Sequence, residues 1–232
     1  MTWISGHLGD IWRLTVQHAV LAAIPLVLGL IVSIPLGWAA ARSRRLVPVA
    51  LAGTGLLYTI PSLALFILMP LILGTKILDP VNVIVAMTIY TVALLVRTVV
   101  DGLGSVPSHV DAAARAMGLG AFRRLVTVQL PLAVPVIAAG LRVAAVSNVS
   151  IVSVASLIGV SQLGDLLVDG YNRDIPGELW AGIVGCLVLA LLFDLLIQGL
   201  ARLLTPWLRA DSRSSARRLA LADAPRDVGV AA

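Results

Sequence analysis

The chain has 232 residues, of which 59% are hydrophobic and only 12% charged, with a net charge of +5. Together with a mean hydropathy of +1.00, this excludes an ordinary water-soluble domain and points to a protein that lies in a bilayer. One cysteine, Cys186, excludes an intramolecular disulfide and a cysteine-based metal site, and His7, His18 and His109 are too scattered for a metal enzyme.

In chain order, residues 1–18 are expected to precede a membrane domain over 19–205, and 206–232 to form a basic tail. Five apolar stretches fill that domain, at 19–41, 46–73, 82–100, 132–158 and 179–203. Each is long enough to cross a hydrocarbon core of ~30 Å. They do not alternate apolar with polar residues between regular turns, so helices are favoured over a barrel. The expected fold class is therefore all-α, a polytopic bundle of about five transmembrane helices.

The first stretch ends in Ala39-Ala40-Ala41, which resembles a signal-peptide cleavage site, but it exceeds the ~7–15-residue apolar core of a signal. Arg42, Arg44 and Arg45 follow it directly and read as a stop that keeps the segment in place. Inside the second stretch, Pro61 removes one backbone hydrogen bond and kinks or breaks the helix. Such breaks border transport cavities, which makes Pro61 and Ser62 candidates for a translocation path, with a plain kink as the alternative.

Residues 107–131 form a polar interlude between the third and fourth stretches. Ser108 with Asp111 three residues later gives a capping-box pattern, and a helix is expected from about His109 to Met117. Gly118 offers the left-handed residue that ends it, and Ala121 to Gln129 reads as a second short helix before Pro131. Ala112, Ala113, Ala114 and Ala116 would let a partner's groove approach closely, with Val110, Met117, Phe122 and Leu125 as apolar anchors. An amphipathic loop resting on lipid is the alternative. Gly102-Leu-Gly104 and Gly118-Leu-Gly120 lack the Lys-Ser/Thr of a phosphate-binding loop, so the chain should not hydrolyse ATP itself.

The fourth stretch carries Arg142, a charge that costs ~2.5–3.5 kcal/mol at mid-helix and must face protein or water. At ~100° per residue, Ser153 returns to within about 20° of it and Ser156 to about 40°. Arg142, Asn148 and Ser153 are thus further path candidates, although Ser147, Asn148 and Ser150 point away from that stripe and can bond neighbouring helices. Asp194, in the fifth stretch, and Asp101 are candidate partners for arginines. The tail is expected to be disordered, with arginines that touch anionic lipid.

Basic residues set the orientation. Thirteen fall at the connections after the first and third stretches and in the tail, only Arg13, Lys76 and Arg173 on the other side, and Arg142 inside. Positive residues stay in the cytoplasm, so the N-terminus is expected outside and the C-terminus inside, which five crossings allow. Trp12, Trp38, Trp180 and Trp207 lie near span ends, where indole rings favour the headgroup layer.

The spacing Asp111-Ala-Ala-Ala-Arg-Ala-Met-Gly118, nine residues, Val128-Gln129-Leu130-Pro131 resembles the "EAA" signature of permease subunits in bacterial ABC importers. Ala113, Ala114, Gly118, Leu130 and Pro131 match it, and Val128 stands for isoleucine. Ala112 occupies the usual glutamate position, with Asp111 one residue early; Asp111 takes over by a small helix shift, or that contact is absent. Thr59-Ile60-Pro61-Ser62-Leu63-Ala64-Leu65 and the run from Leu130 to Arg142 are similar to permeases for glycine betaine, choline and carnitine.

What the resemblance implies, over about residues 19 to 205, is a type I importer transmembrane domain of the methionine-permease kind in the bacterial inner membrane. It further implies ABC ATPase subunits docked at Asp111, Ala112, Ala113, Ala114, Gly118, Leu130 and Pro131, an external solute-binding protein, and a second permease subunit as homodimer or heterodimer. The expected cargo is an osmoprotectant such as glycine betaine, choline, carnitine or proline, with no cofactor and no nucleic acid. An amino-acid or methionine importer is the alternative, and an ion-coupled secondary transporter, for which only Asp194 could serve, a more distant one. With aromatics at 5%, no aromatic cage for a quaternary ammonium is visible in the spans, so selectivity is expected in the binding protein.

Overall fold

The computed structural model describes residues 2–43 and 45–207, so the predicted tail lies outside the described residues from 208 onward. Two helices open the chain, α1 (Thr2–Gly6) and α2 (Leu8–Ala41). The helix that carries the first span therefore starts at Leu8 and extends through most of the segment expected to precede the span. The helix continues to that end because Leu14, His18 and Leu21 bury one of its faces against the bundle.

The 46–73 stretch is not one helix but two, α3 (Leu46–Thr59) and α4 (Ser62–Leu73), bent by 95° at Ile60–Pro61. Proline denies its predecessor the helical region and has no N–H to donate, and Ile60 and Pro61 both take extended backbone, each with ψ 130°. At 1.5 Å per residue, α3 reaches only ~21 Å and α4 ~18 Å, so neither crosses a bilayer alone.

α5 (Pro80–Gly104) follows, started by Asp79, whose carboxylate accepts the Val81 N–H at 3.0 Å. The polar interlude holds α6 (Ser108–Ala116) and α7 (Ala121–Arg124). α7 passes through a π-turn at Leu125–Gln129 into α8 (Leu130–Val152) and a 3-10 segment, Ser153–Ile158, giving one helical run of 38 residues. The second short helix expected before Pro131 is thus the root of a membrane span. α9 (Gly164–Asn172), in a loop with no predicted structure, and α10 (Pro176–Leu204) complete the chain.

α5 is the axis of the bundle. It runs parallel to α2, because Gly29 meets Thr91 and Gly37 meets Val99; a Cβ on either glycine would lie 2.4 or 2.6 Å from those side chains. Small residues at a crossing let two helices close in, where lipid offers no hydrophobic drive to association. Against α8 it runs antiparallel, with Thr98 at Gly140 and Thr91 bonded to Asn148. Since α2 and α5 point the same way, the α3–α4 pair must carry the chain from one end back to the other. Counted as one crossing, it makes five spans.

The two ends of the bundle differ. At the α9 end, Phe66, Met87, Val152 and Leu163 form a fully buried apolar cluster; at the hairpin end, Val99, Ala133 and Ile137 form a smaller one. Outward faces are apolar, as in Leu187, Leu191, Leu195 and Leu203 of α10.

Candidate functional site

Among residues 107–131, α6 ends in a Schellman turn. Gly118 takes φ +78°, its N–H meets the Arg115 carbonyl at 2.9 Å, and the Leu119 N–H meets that of Ala114 at 3.2 Å. The expected capping box does not form: Pro107 holds the cap position, with no side-chain bond there. Proline's fixed φ suits that position, so Ser108 becomes the first helical residue, and Asp111 turns inward instead.

Asp111 is the knot of the hairpin. Its Oδ2 accepts from Arg115 Nε at 3.0 Å and its Oδ1 from Gln129 Nε2 at 2.9 Å, and Arg124 Nε lies 2.8 Å from that same Oδ1. Burial pushes its carboxyl upward, but the hydrogen bonds from Arg115 and Gln129 and the charges of Arg124 and Arg115 outweigh this and hold it below the usual carboxylate value. A carboxylate so engaged braces α6 against the root of α8.

Ala114 and Leu125 are pegs of the same brace, 1% and 3% exposed. Leu125 is therefore not a surface anchor, and Val110 is half-buried. His109, Ala112, Ala113, Ala116 and Met117 are exposed along one helical stripe, spaced at the i, i+3, i+4, i+7, i+8 pattern of one face. Phe122 adds a ring 70% exposed, set edge-on to Trp38 at 6.4 Å, over which Arg42 lies at 4.4 Å. Leu130 and Pro131 follow the π-turn, where the Leu130 N–H reaches the Leu125 carbonyl. Pro131 would otherwise press on the carbonyl four residues back, and the wider turn relieves it. A cleft of about 490 Å³ separates the hairpin from the ends of α2 and α5, with Arg42, Arg115 and Arg124 on its walls.

Within the spans, Arg142 and Asp194 find each other as a two-point ion pair, 2.6 and 2.9 Å. The pair edges a groove of about 440 Å³ with Ala139, Val143, Val146 and Ser147. Asn148 does not join it. It is 2% exposed and tied to the Ala22 carbonyl at 3.3 Å and to Thr91 Oγ1 at 3.0 Å. Ser153 lies past the last α-helical residue, in the 3-10 segment, and donates to the Ser150 carbonyl at 2.7 Å.

Pro61 and Ser62 sit at the bend. There the Tyr90 hydroxyl donates to the Ile60 carbonyl, and Tyr58 meets Tyr90 edge-on at 5.6 Å. The sequence offered no sign of this pairing, nor of the clamp at the α9 end. His18, fully buried, contacts Gln162 Oε1 and the Val149 carbonyl, each at 2.9 Å. That amide is oriented by Gly164 N–H and the Ser153 carbonyl. Such contacts join residues far apart in sequence. Gln129 and Arg124 were closer to view, since both lie inside the motif.

A family model described as "Binding-protein-dependent transport system inner membrane component" matches residues 33–210. The chain belongs to this family. It is a multi-pass inner-membrane protein and a transport subunit rather than an enzyme, and the ATPase is a separate partner. Among curated proteins it is similar to the osmoprotectant import permease protein OsmW of Salmonella typhimurium, 36% identical over 85% of this chain and 93% of that one. It is also similar to the glycine betaine/carnitine/choline transport system permease protein OpuCD of Bacillus subtilis, 32% identical over 88% and 89%. Its fold matches an inward-facing methionine ABC transporter, MetNI, with a TM-score of 0.77 at 20% identity, over 86% of this chain and 98% of that one. The expected type I importer fold is borne out.

Proposed function

We propose that this chain is the permease subunit of an ATP-driven importer of osmoprotectants, with glycine betaine, choline, carnitine and proline as the solute class. The observation that carries the reading is the braced hairpin: α6 is knotted to the root of α8 through Asp111, while its small-residue stripe stays open. A helix so held transmits a push along a 38-residue helical run instead of absorbing it. Asp111 therefore acts within the hairpin, and Ala112, Ala113, Ala116 and Met117 form the face for an ATPase groove. Gly118, Leu130 and Pro131 shape the turn and the root behind it.

The hairpin end is cytoplasmic by its arginines, which puts the N-terminus outside and the C-terminus inside. Two permease subunits, two ATPases and an external binding protein complete the transporter. The groove beside Arg142 and the bend at Pro61 and Ser62 line the path, because neither a partly exposed ion pair nor irregular backbone is tolerated against lipid. Asp194 is committed to Arg142, which weighs against a free coupling carboxylate and an ion-driven mechanism.

The test has two arms. Ala113→Cys and Ala116→Cys should crosslink to the co-assembled ATPase, and proteoliposomes holding the transporter should accumulate choline or glycine betaine only with ATP and the binding protein. Labelling of both cysteines from outside the cell, or uptake sustained by a proton gradient without ATP, would overturn the reading.

A further inference from the structure

The α3–α4 bend lies at mid-depth, since its Ile60 carbonyl takes the hydroxyl of Tyr90, a residue near the middle of α5. At the end of α3 the helical ladder runs out. The Ile60 N–H reaches back to the Leu57 carbonyl at 3.4 Å, Thr59 Oγ1 donates to the Leu56 carbonyl at 2.7 Å, and the extended backbone at Ile60 and Pro61 carries the following donors away. The carbonyl end of a helix bears partial negative charge. Beside it stands Tyr58, 42% exposed, while Tyr90 is 4% exposed.

This surface cannot face lipid. Irregular backbone at membrane depth occurs where it is covered by protein or lines a water-filled cavity, and Thr59 and Pro61 are exposed on this chain. Its chemistry is an aromatic ring plus carbonyl dipoles, with no carboxylate among the residues of α3 or α4. A metal ion or primary ammonium would lose its hydration shell there for little return, whereas a quaternary ammonium is weakly hydrated and favours aromatic faces.

We infer that the bend is a transit site for quaternary ammonium head groups, with the Tyr58 ring and the carbonyl end of α3 as the recognition surface. Tyr90 is its positioning residue, holding the Ile60 carbonyl and the Tyr58 ring. The inference rests on the osmoprotectant reading and adds to it a selective step inside the membrane, separate from capture by the binding protein. A choline head group of a lipid is not the occupant, because head groups lie at the interface and the bend lies at mid-depth.

The experiment is choline uptake by the reconstituted transporter with saturating binding protein. Tyr58→Leu should lower the maximal rate by about tenfold, Tyr58→Phe should stay within about twofold of the parent, and a fluorinated phenylalanine at position 58, equal in size but with a weakened ring face, should fall between them. ATPase assembly of each variant reports folding. Equal rates for the fluorinated and plain phenylalanine variants, or full uptake by an assembled Tyr58→Leu transporter, would overturn the transit site alone. A parent transporter that moves another solute with ATP but no choline or glycine betaine would overturn the osmoprotectant reading, and the site with it.

Discussion

Two interruptions of helix, the turn at Gly118 and the bend at Pro61, are satisfied in opposite ways. At Gly118 the backbone closes on itself with two Schellman bonds, and Asp111 locks the result with side chains of its own segment. At Pro61 the break borrows a hydroxyl from another helix and leaves a tyrosine half open beside it. A self-contained turn is rigid and suits a lever; a borrowed one can be remodelled when helices shift, which suits a path. The difference comes from where each lies: water satisfies leftover groups outside the membrane, and at mid-depth only protein or a cavity can.

The sharpest way to break the comparison is at the knot. Asp111→Ala leaves Arg124, with a side chain only 18% exposed, facing no carboxylate, at a cost of about 1–3 kcal/mol to the hairpin. Uptake should fall by more than about tenfold while ATP hydrolysis persists; unchanged transport would show that the brace transmits nothing. Gly118→Val comes next. Open space surrounds the missing Cβ, so the penalty is purely backbone strain, about 1–2 kcal/mol. Membrane insertion should be intact, with fewer solutes moved per ATP, and Gly118→Ala should show a milder form of the same defect; identical behaviour of both variants and the parent would remove the turn from the mechanism.

At the bend, Tyr90→Phe removes one hydroxyl and should cost about 0.5–1 kcal/mol, seen as a small drop in melting temperature together with a change in choline affinity during uptake. A drop in stability with unaltered affinity would make Tyr90 a packing residue only. The smallest effect is expected for pH. Because the Asp111 carboxyl is held below its usual value, its contribution is complete above the unfolded value of about 3.9 and is lost as pH falls through the lower folded one. Amide exchange of residues 108–130, corrected for its intrinsic rate, should therefore be the same at pH 7 and pH 5, and faster exchange at pH 5 would mean the knot is weaker than drawn.

Composition and motif spacing were enough to settle the class of this chain. Apolar runs must be helical in lipid whatever their neighbours do, and Gly118 and Pro61 act through their own backbone, so the turn and the break were legible one residue at a time. Tertiary structure alone decided the pairings. That Asp111 faces Arg124 and Gln129, that Arg142 takes Asp194, that Asn148 is consumed by Ala22 and Thr91, and that Tyr90 reaches Ile60 all depend on which helix faces touch. Propensity and periodicity describe a helix and its apolar face, but a polar side chain's role is set by the partner that meets it across a helix interface, and that partner is chosen only when the bundle closes.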